Sequence, residues 1–166
     1  MSSEKTPGAS AYLLGRSPGL RAYLRVLLGN LHEAEDVLQE LFLRYLRAGP
    51  AAGTTDADRW LFRVARNLAL KVIRSSRRRQ AREAAYDPER PAEPGPAESA
   101  ALKEDTGHIQ RCLDRLEADT REMIYLKLVE ELSYREIAEH TGVPRSTVAL
   151  RVQEGLARLA KLFHER

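Results

Sequence analysis

Apolar residues recur three and four positions apart in two long stretches of the chain. In the first stretch they are Leu31, Ala34, Leu38, Leu41 and Tyr45. In the second they form a stripe between Trp60 and Ile73, with polar residues on the opposite side. This spacing is typical of an amphipathic helix, whereas no stretch alternates convincingly with the period of two that marks a strand. The pattern therefore predicts an all-α fold.

Four predicted helix starts carry a cap residue that is followed three positions later by an acid. The side-chain oxygen of such a cap accepts a hydrogen bond from a backbone N–H that the helix leaves unpaired, and the acid can bond back to the cap. The four pairs are Asn30 with Glu33, Thr55 with Asp58, Asp119 with Glu122, and Ser133 with Glu136. Because all four stand at the edges of periodic segments, they strengthen the helical prediction.

The distribution of proline divides the chain. Residues 81–98 carry four of the eight prolines together with acids and alanines, and this composition favours an extended linker without a core of its own. We therefore predict two small helical domains, residues 10–80 and 107–164, joined by a flexible linker of residues 81–106. A chain of 166 residues is long enough for two such modest cores.

Residues 133–159 match the arrangement of a helix-turn-helix. Gly142 can take the left-handed conformation that ends a first helix, and Pro144 suits the opening of a second helix because that position needs no backbone N–H. The residues that the second helix would present to a DNA groove are Arg145, Ser146, Thr147, Ala149, Leu150 and Arg151. A helical hairpin that binds no nucleic acid is the alternative, and the motif alone does not separate one class of DNA-binding protein from another.

Charge is segregated along the chain although the net charge is only +3. Residues 26–43 contain four acids and no lysine or arginine, while residues 59–82 contain nine lysines or arginines and no acid. Such asymmetry indicates one surface for a basic partner and another for a polyanion such as DNA. The alternative is that both runs are solvated helix faces without a partner.

Three blocks of sequence resemble bacterial RNA polymerase sigma factors of the extracytoplasmic-function group. They are residues 34–42 (AEDVLQELF), residues 60–74 (WLFRVARNLALKVIR) and residues 121–148 (REMIYLKLVEELSYREIAEHTGVPRSTV). The first two blocks are similar to the domain that binds core polymerase and melts the promoter, and the third is similar to the promoter-distal domain. The order and spacing of the blocks make the match specific, and the resemblance covers nearly the whole chain from Leu20 onward.

The resemblance implies a role for each charged surface. Asp36, Gln39 and Glu40 share one face of a helix, and the matching residues of the family dock on a coiled coil in the largest subunit of the polymerase. The helix that begins near Trp60 resembles the one that holds the minus-ten promoter element. Its implied DNA-binding residues are Arg59, Trp60, Arg63, Arg66, Asn67, Lys71 and Arg74. The implied contacts with the minus-thirty-five element come from the recognition-helix residues, 145–147 and 149–151.

Opening a duplex also requires a place for unpaired bases. The family uses the loop before the minus-ten helix, which here is residues 49–58, and its glycines and small residues would let a base approach the backbone. Trp60 would then be a stacking platform for a base. Ordinary core packing is the alternative for Trp60, because this residue also begins the apolar stripe.

The chain departs from the family pattern at several positions. Lys71 stands where many members carry an aspartate, Ala149 where a lysine or arginine is frequent, and Glu154 where an arginine is frequent. Fewer cations on the recognition helix predict a lower affinity for the minus-thirty-five element. Gly155 is expected to weaken this helix by about 1 kcal/mol relative to alanine.

No motif for catalysis or for a cofactor stands out, so we expect neither enzyme activity nor a cofactor. His108 and Cys112 are four residues apart, but two ligands do not make a metal site. The absence of a signal-peptide pattern and of a long apolar run predicts a cytoplasmic protein without a membrane partner. The partners that the resemblance implies are core polymerase, promoter DNA and an anti-sigma factor. A stand-alone DNA-binding regulator and a helical adaptor are the alternatives.

Overall fold

Seven helices and no strand make up the described part of the chain, which is residues 7–86 and 104–164 of a computed structural model. A first unit contains α1 (Pro7–Leu28), α2 (Leu31–Ala48) and α3 (Thr55–Tyr86). A second unit contains α4 (Glu104–Asp114), α5 (Ala118–Leu128), α6 (Tyr134–Thr141) and α7 (Arg145–His164). The division into two compact units falls between residues 97 and 98. The predicted all-α fold is confirmed.

The first unit is a bundle of three helices in which each helix packs against the other two. Its core consists of the apolar stripes that predicted α2 and α3, joined by a third stripe from α1. The core residues with the least exposure are Leu20, Tyr23, Leu24, Leu27, Ala34, Leu41, Ala57, Leu61, Ala65 and Ala69. Burying one leucine side chain contributes about 1.5–3 kcal/mol, so the apolar sides of α2 and α3 are held firmly inward. Their polar sides therefore face solvent.

Helix α1 is the element that the hydrophobic pattern did not predict. Pro18 lies inside it, and Gly15 and Gly19 add to its low intrinsic stability, because proline removes a helical hydrogen bond and glycine has low helix propensity. Tyr23 and Leu24 are completely buried against the bundle. The packing of the apolar side of α1 therefore outweighs the propensity of its residues.

Two of the four predicted caps are present. Asn30 caps α2 by accepting hydrogen bonds from the backbone N–H groups of His32 and Glu33. Ser133 and Glu136 form a complete capping box on α6, in which each side chain bonds to the backbone of the other residue. These local signals identified both helix starts from the sequence.

The cap of α3 is Thr54, and the prediction of Thr55 was wrong by one residue. Oγ1 of Thr54 accepts a hydrogen bond from the backbone N–H of Ala57 at 3.1 Å. Asp58 therefore lies too far along the helix to close a capping box, and its carboxylate binds side chains of α1 instead. Only the tertiary structure could show this, because a threonine stands at both positions.

The predicted cap pair of Asp119 and Glu122 was also wrong. Helix α5 begins at Ala118, after Glu117, whose side chain makes no cap hydrogen bond. The side chain of Glu122 is completely buried, and its Oε1 lies 3.4 Å from Nε2 of His140 on α6. Because a buried carboxylate needs polar partners, Glu122 contributes to the contact between α5 and α6 and not to a helix end.

The structure differs from the predicted linker of residues 81–106 at both ends. Helix α3 continues through Tyr86, because residues 77–85 are arginine, glutamine, alanine and glutamate, which all favour a helix. Its last described residue stands two positions before Pro88, which disfavours helix in the residue before it. Helix α4 already begins at Glu104. Residues 87–103, which contain the proline cluster, lie outside the described residues.

Helices α6 and α7 of the second unit form the predicted helix-turn-helix and pack on α5. Gly142 ends α6 in the left-handed conformation, with φ at 73°, and its N–H donates to the carbonyl of Ala138 at 2.9 Å. A residue without Cβ suits this conformation, as the sequence predicted. The most buried apolar side chains of the unit are Met123, Leu126, Ile137, Val148 and Val152.

Gly155 has a packing role that helix propensity did not predict. It is buried in α7, and a Cβ built on it would lie 2.6 Å from Cγ2 of Thr120 and 2.8 Å from Cδ1 of Ile124. Both neighbours belong to α5, and the β-branched side chain of Thr120 has little rotational freedom. The glycine therefore lets α5 and α7 approach each other closely, at the cost of some helix propensity.

Replacing Gly155 by alanine should destabilise the second unit, although alanine is the better helix former. Overpacking a core costs about 1–3 kcal/mol, which offsets or exceeds the gain of about 1 kcal/mol in helix propensity. Faster amide hydrogen exchange in α5 and α7 would measure the loss. The matched control is Gly15→Ala in α1, where a Cβ meets nothing within 4 Å, so this variant should gain up to about 1 kcal/mol. Slower exchange in Gly155→Ala would contradict the close approach of the helices.

Candidate functional site

One face of α2 presents the residues predicted to bind core polymerase. Asp36 and Gln39 are exposed, and Glu40 is partly exposed. The opposite side of α2 is buried in the bundle, which fixes the direction of this face. The face continues into Leu43 and Leu46, whose exposed fractions of 49% and 38% are high for leucine. The sequence did not identify these two leucines as part of the exposed face, because the spacing of apolar residues does not show which of them are buried.

Glu40 is already engaged within the chain. Nε of Arg44 donates to its Oε1 at 2.7 Å, in an exposed ion pair one helical turn apart. This hydrogen bond, with smaller contributions from the charges of Arg44, Arg47 and Lys71, lowers the pKa of Glu40. Lys71, which replaces the aspartate of many family members, thus acts electrostatically on the acidic face of α2. Asp36 and Gln39 are therefore better placed than Glu40 to contact an outside protein.

A row of polar side chains runs along the outer side of α3. Its members are Arg59, Arg63, Asn67, Lys71 and Arg74, all of them exposed and separated by three or four residues. Arg66, the remaining arginine of the predicted minus-ten set, is only partly exposed. The row carries four positive charges without an acid on the same stretch, and such a row can follow a chain of phosphates.

Trp60 packs in an aromatic cluster beside this row. Its ring meets the ring of buried Tyr45 edge-on, with centroids 5.7 Å apart, and Tyr45 in turn lies 5.8 Å from the ring of Tyr12. Trp60 is partly buried. Core packing therefore accounts for one side of its ring, and a stacking role for the exposed remainder stays a prediction.

The loop before α3 contains two glycines in different environments. Gly49 lies against Tyr45, since a Cβ on Gly49 would be 2.4 Å from Cδ2 of the Tyr45 ring and 2.6 Å from the Tyr45 carbonyl oxygen. Gly53 is exposed with φ at 78°, and a Cβ there would meet nothing within 4 Å. Only Gly53 offers open backbone of the kind predicted for base capture, while Gly49 holds the loop against the bundle.

Asp58 ties this loop and the start of α3 to α1. Its carboxylate accepts a hydrogen bond from the hydroxyl of Tyr12 and pairs with the guanidinium of Arg16. Burial, together with the hydrogen bond and the negative charge of Asp58, raises the pKa of Tyr12 to about 12. The contacts position the first turn of α3, which directly precedes Arg59 and Trp60.

The raised pKa of Tyr12 predicts a loss of stability in alkaline solution. The folded chain holds the phenol proton more tightly than the unfolded chain, so the contribution is complete below pH 10.0 and is lost as pH rises toward about 12. Replacing Tyr12 by phenylalanine should therefore flatten the decline of the unfolding free energy in this range. Urea unfolding followed by the fluorescence of the single tryptophan measures it. Equal slopes for the two proteins would contradict the assignment.

The recognition helix α7 presents most of its predicted DNA-binding side chains to solvent. Arg145, Ser146 and Leu150 are exposed, the last to 54%. Thr147, Ala149 and Arg151 are partly exposed, and NH1 of Arg151 lies 3.8 Å from a carboxylate oxygen of Asp119 on α5. Val148 and Val152 on the other side are completely buried. The helix thus has one side anchored in the unit and the other open to a groove.

The described part of the chain contains neither a cluster of metal ligands nor a membrane-spanning helix. Across residues 7–86 and 104–164, no group of three or more His, Cys, Asp or Glu side chains is arranged to hold a metal ion. Sγ of buried Cys112 lies 3.8 Å from Nε2 of His108. No helix in the same ranges is both long and apolar enough to cross a bilayer.

Comparison with known proteins places the chain in a family. The family model for sigma-70 region 2 matches residues 15–79, and that for sigma-70 region 4 matches residues 107–159. The ECF RNA polymerase sigma factor SigW of Bacillus subtilis is 31% identical over 153 residues, which are 84% of this chain and 80% of SigW. The sigma factor CarQ of Myxococcus xanthus is 30% identical over 90% of this chain and 85% of CarQ.

Two further similarities bear on the extent of the match. SigE of Mycolicibacterium smegmatis is 34% identical over 80% of this chain, which spans about half, 52%, of that protein. Among solved structures, the sigma factor RpoE from Bartonella quintana, in complex with the anti-sigma factor NepR, has a TM-score of 0.71 and 26% identity, and the match covers 93% of this chain and 96% of that one.

The chain therefore belongs to the sigma-70 family, and within it to the extracytoplasmic-function RNA polymerase sigma factors. It is a factor for promoter-specific transcription initiation, as its sequence blocks predicted. The roles of individual side chains at its surfaces stay predictions.

Proposed function

We propose that this chain joins core RNA polymerase through the exposed face of α2. The observation that carries the proposal is the exposure of Asp36 and Gln39 on one face, continued by exposed Leu43. An acidic residue and an amide beside an apolar side chain suit a basic protein surface that also buries apolar area. In the family, the matching polar residues dock on a coiled coil of the largest polymerase subunit.

Promoter opening is assigned to α3 and the loop before it. The exposed row from Arg59 to Arg74 would hold the backbone of the minus-ten element, with each phosphate contact steepening the salt dependence of binding by about 0.9 log units per log unit of salt. An extruded base would approach the open backbone at Gly53 and reach the exposed side of Trp60. The polymerase would carry out the chemistry of synthesis.

Upstream recognition is assigned to α7. Arg145 at its first turn suits a phosphate or a guanine, and Ser146 and Thr147 can bond a phosphate or a base edge. Leu150 differs from these because it can contact only an apolar group, and in the major groove that group is the methyl of thymine. The solved complex of a similar sigma factor with an anti-sigma factor supports an anti-sigma partner for this chain as well.

Reconstitution with core polymerase tests the proposed function. The purified chain is mixed with core polymerase and a library of promoter fragments, and initiated transcripts are sequenced. We expect the chain to join core and to select a set of fragments that share two elements. Binding to duplex DNA at a symmetric site without core would favour a stand-alone regulator instead. The proposal fails if the chain neither joins core nor directs initiation.

Replacing Leu150 by alanine should relax promoter selection at a single base pair. Loss of a methyl contact of this size costs about 1 kcal/mol, or roughly fivefold in preference for thymine at that position. Competition between fragments that differ only there measures the change. Leu128→Ala is the matched control, because Leu128 is exposed to a similar degree, 58%, but lies at the end of α5. If Leu150→Ala keeps the same preference for thymine, Leu150 does not contact that base pair.

A further inference from the structure

The end of α3 extends beyond the core of the first unit. The last buried residue of the helix is Ala69, and Val72, Ile73 and Ser76 are still partly buried. All residues from 77 to 83 are exposed, yet the helix continues to Tyr86. The ten residues from Arg77 onward add about 15 Å of helix at 1.5 Å per residue. This extension has no apolar stripe that would require it to be a helix for packing.

Arginine dominates the extension. Residues 74–82 include five arginines and no acid, namely Arg74, Arg77, Arg78, Arg79 and Arg82. Nε of Arg78 donates to the carbonyl of Arg74 at 3.3 Å, and Nε of Arg82 donates to the carbonyl of Arg78 at 3.2 Å. Arg74, Arg78 and Arg82 therefore line one side of the helix, each one turn from the next. The helix propensity of these residues accounts for the helix, but like charges at this spacing repel one another, and a bound polyanion would remove that repulsion.

We propose that Arg78, Arg79 and Arg82 bind the backbone phosphates of double-stranded DNA between the two promoter elements. The inference rests on the proposed function and adds a contact beyond the predicted minus-ten residues, which end at Arg74. Arg82 also lies beyond residue 79, where the match to sigma-70 region 2 ends. Along the chain, the extension follows the residues assigned to the minus-ten element and precedes the unit assigned to the minus-thirty-five element, and this order is the reason for placing its contact on the DNA between the two elements.

The composition of the extension favours duplex over melted DNA. Sites for single strands combine cations with aromatic platforms on which bases stack, but no aromatic residue is interleaved with the arginines at 74–82, and the extension has an aromatic residue only at its last position, Tyr86. Duplex DNA presents one phosphate charge for about every 1.7 Å of its axis. The arginines from 74 to 82 span about 12 Å along α3, so they can meet several phosphates of one duplex without reading bases.

Holoenzyme binding to shortened promoter fragments tests the proposal. The variant R78A/R79A/R82A keeps the helix, because alanine is the best helix former, and R78K/R79K/R82K keeps the charge. One fragment of a promoter selected in the initiation experiment ends at the upstream edge of the minus-ten element. A second fragment carries the intervening duplex as well but stops before the minus-thirty-five element, so that α7 has no target on either fragment.

On the longer fragment, the alanine variant should bind with a shallower salt dependence, by up to about 2.7 in the slope of log K against log salt for three phosphates. The lysine variant should keep most of the original slope, and all three proteins should bind the shorter fragment alike. Equal slopes on the longer fragment would overturn the proposal. A loss of affinity for core polymerase without DNA would also overturn it, by assigning the arginines to a protein surface. If the unaltered chain fails to join core, the proposed function itself fails.

Discussion

Combining Asp36→Lys with Gln39→Ala should weaken binding to core RNA polymerase by about 30-fold or more. Truncating one partner of a desolvated, hydrogen-bonded charge pair costs about 2–5 kcal/mol, and 1.4 kcal/mol corresponds to tenfold in affinity. Reversal of the charge at Asp36 adds repulsion from the basic partner surface. Fluorescence anisotropy of labelled chain titrated with core polymerase, in the absence of DNA, measures the effect. Both residues are exposed, so the fold should remain unchanged.

Glu83→Lys is the matched control for the change at Asp36. It makes the same reversal of charge at an exposed position of the first unit, near the end of α3. Its affinity for core polymerase should stay within about twofold of the original, because an isolated surface charge contributes little. If the double variant binds core as tightly as the Glu83→Lys control, the α2 face is not the docking surface. Circular dichroism of each variant checks that the helices are intact.

Replacing His140 by leucine should destabilise the second unit by about 1–3 kcal/mol, the cost of depriving a buried polar group of a polar neighbour. The imidazole, itself 13% exposed, places Nε2 at 3.4 Å from Oε1 of the completely buried Glu122, a polar contact without hydrogen-bond geometry. Leucine supplies no polar group, so Glu122 would lose one of its partners inside the protein. The helix-turn-helix should then open more often, with faster amide exchange in α5 and α6.

His164→Leu is the control for this substitution, since His164 is exposed near the end of α7. It should change stability by only a few tenths of a kcal/mol through the helix dipole. Exchange in the first unit should not change in either variant, and the fluorescence of Trp60 reports on that unit separately. Unchanged protection of α5 and α6 in His140→Leu would show that the pair contributes nothing to the contact between these helices.

Local signals explain why parts of the fold could be predicted closely. Ser133 and Glu136 form their capping box within one turn, and Gly142 adopts a left-handed conformation that its own backbone permits. Both features depend only on neighbours in the sequence. The long stripes of α2 and α3 were also readable, because an apolar residue every three or four positions has few other structural solutions. The segregated acids and bases then lie on the exposed sides of those helices.

Features that depend on distant residues could not be predicted in the same way. Helix α1 contains proline and several glycines, and only its burial against α2 and α3 makes it a helix. Gly155 was interpreted as a weak point of α7, but it is the position at which α7 packs closely against Thr120 and Ile124 of α5. Glu122 was interpreted as part of a cap, but His140 on another helix is its neighbour.

The sequence by itself determined that the chain is helical, has two lobes and carries a helix-turn-helix, since these follow from periodicity, composition and turn chemistry within short windows. It also determined which residues are candidates for polymerase and DNA. Only the tertiary structure decided which candidates are available, by leaving Asp36 and Gln39 on the exposed side of α2, packing Trp60 on Tyr45 and extending the arginines of α3 beyond the core. The physical reason is that exposure and pairing depend on which helices meet, and local sequence does not encode those contacts.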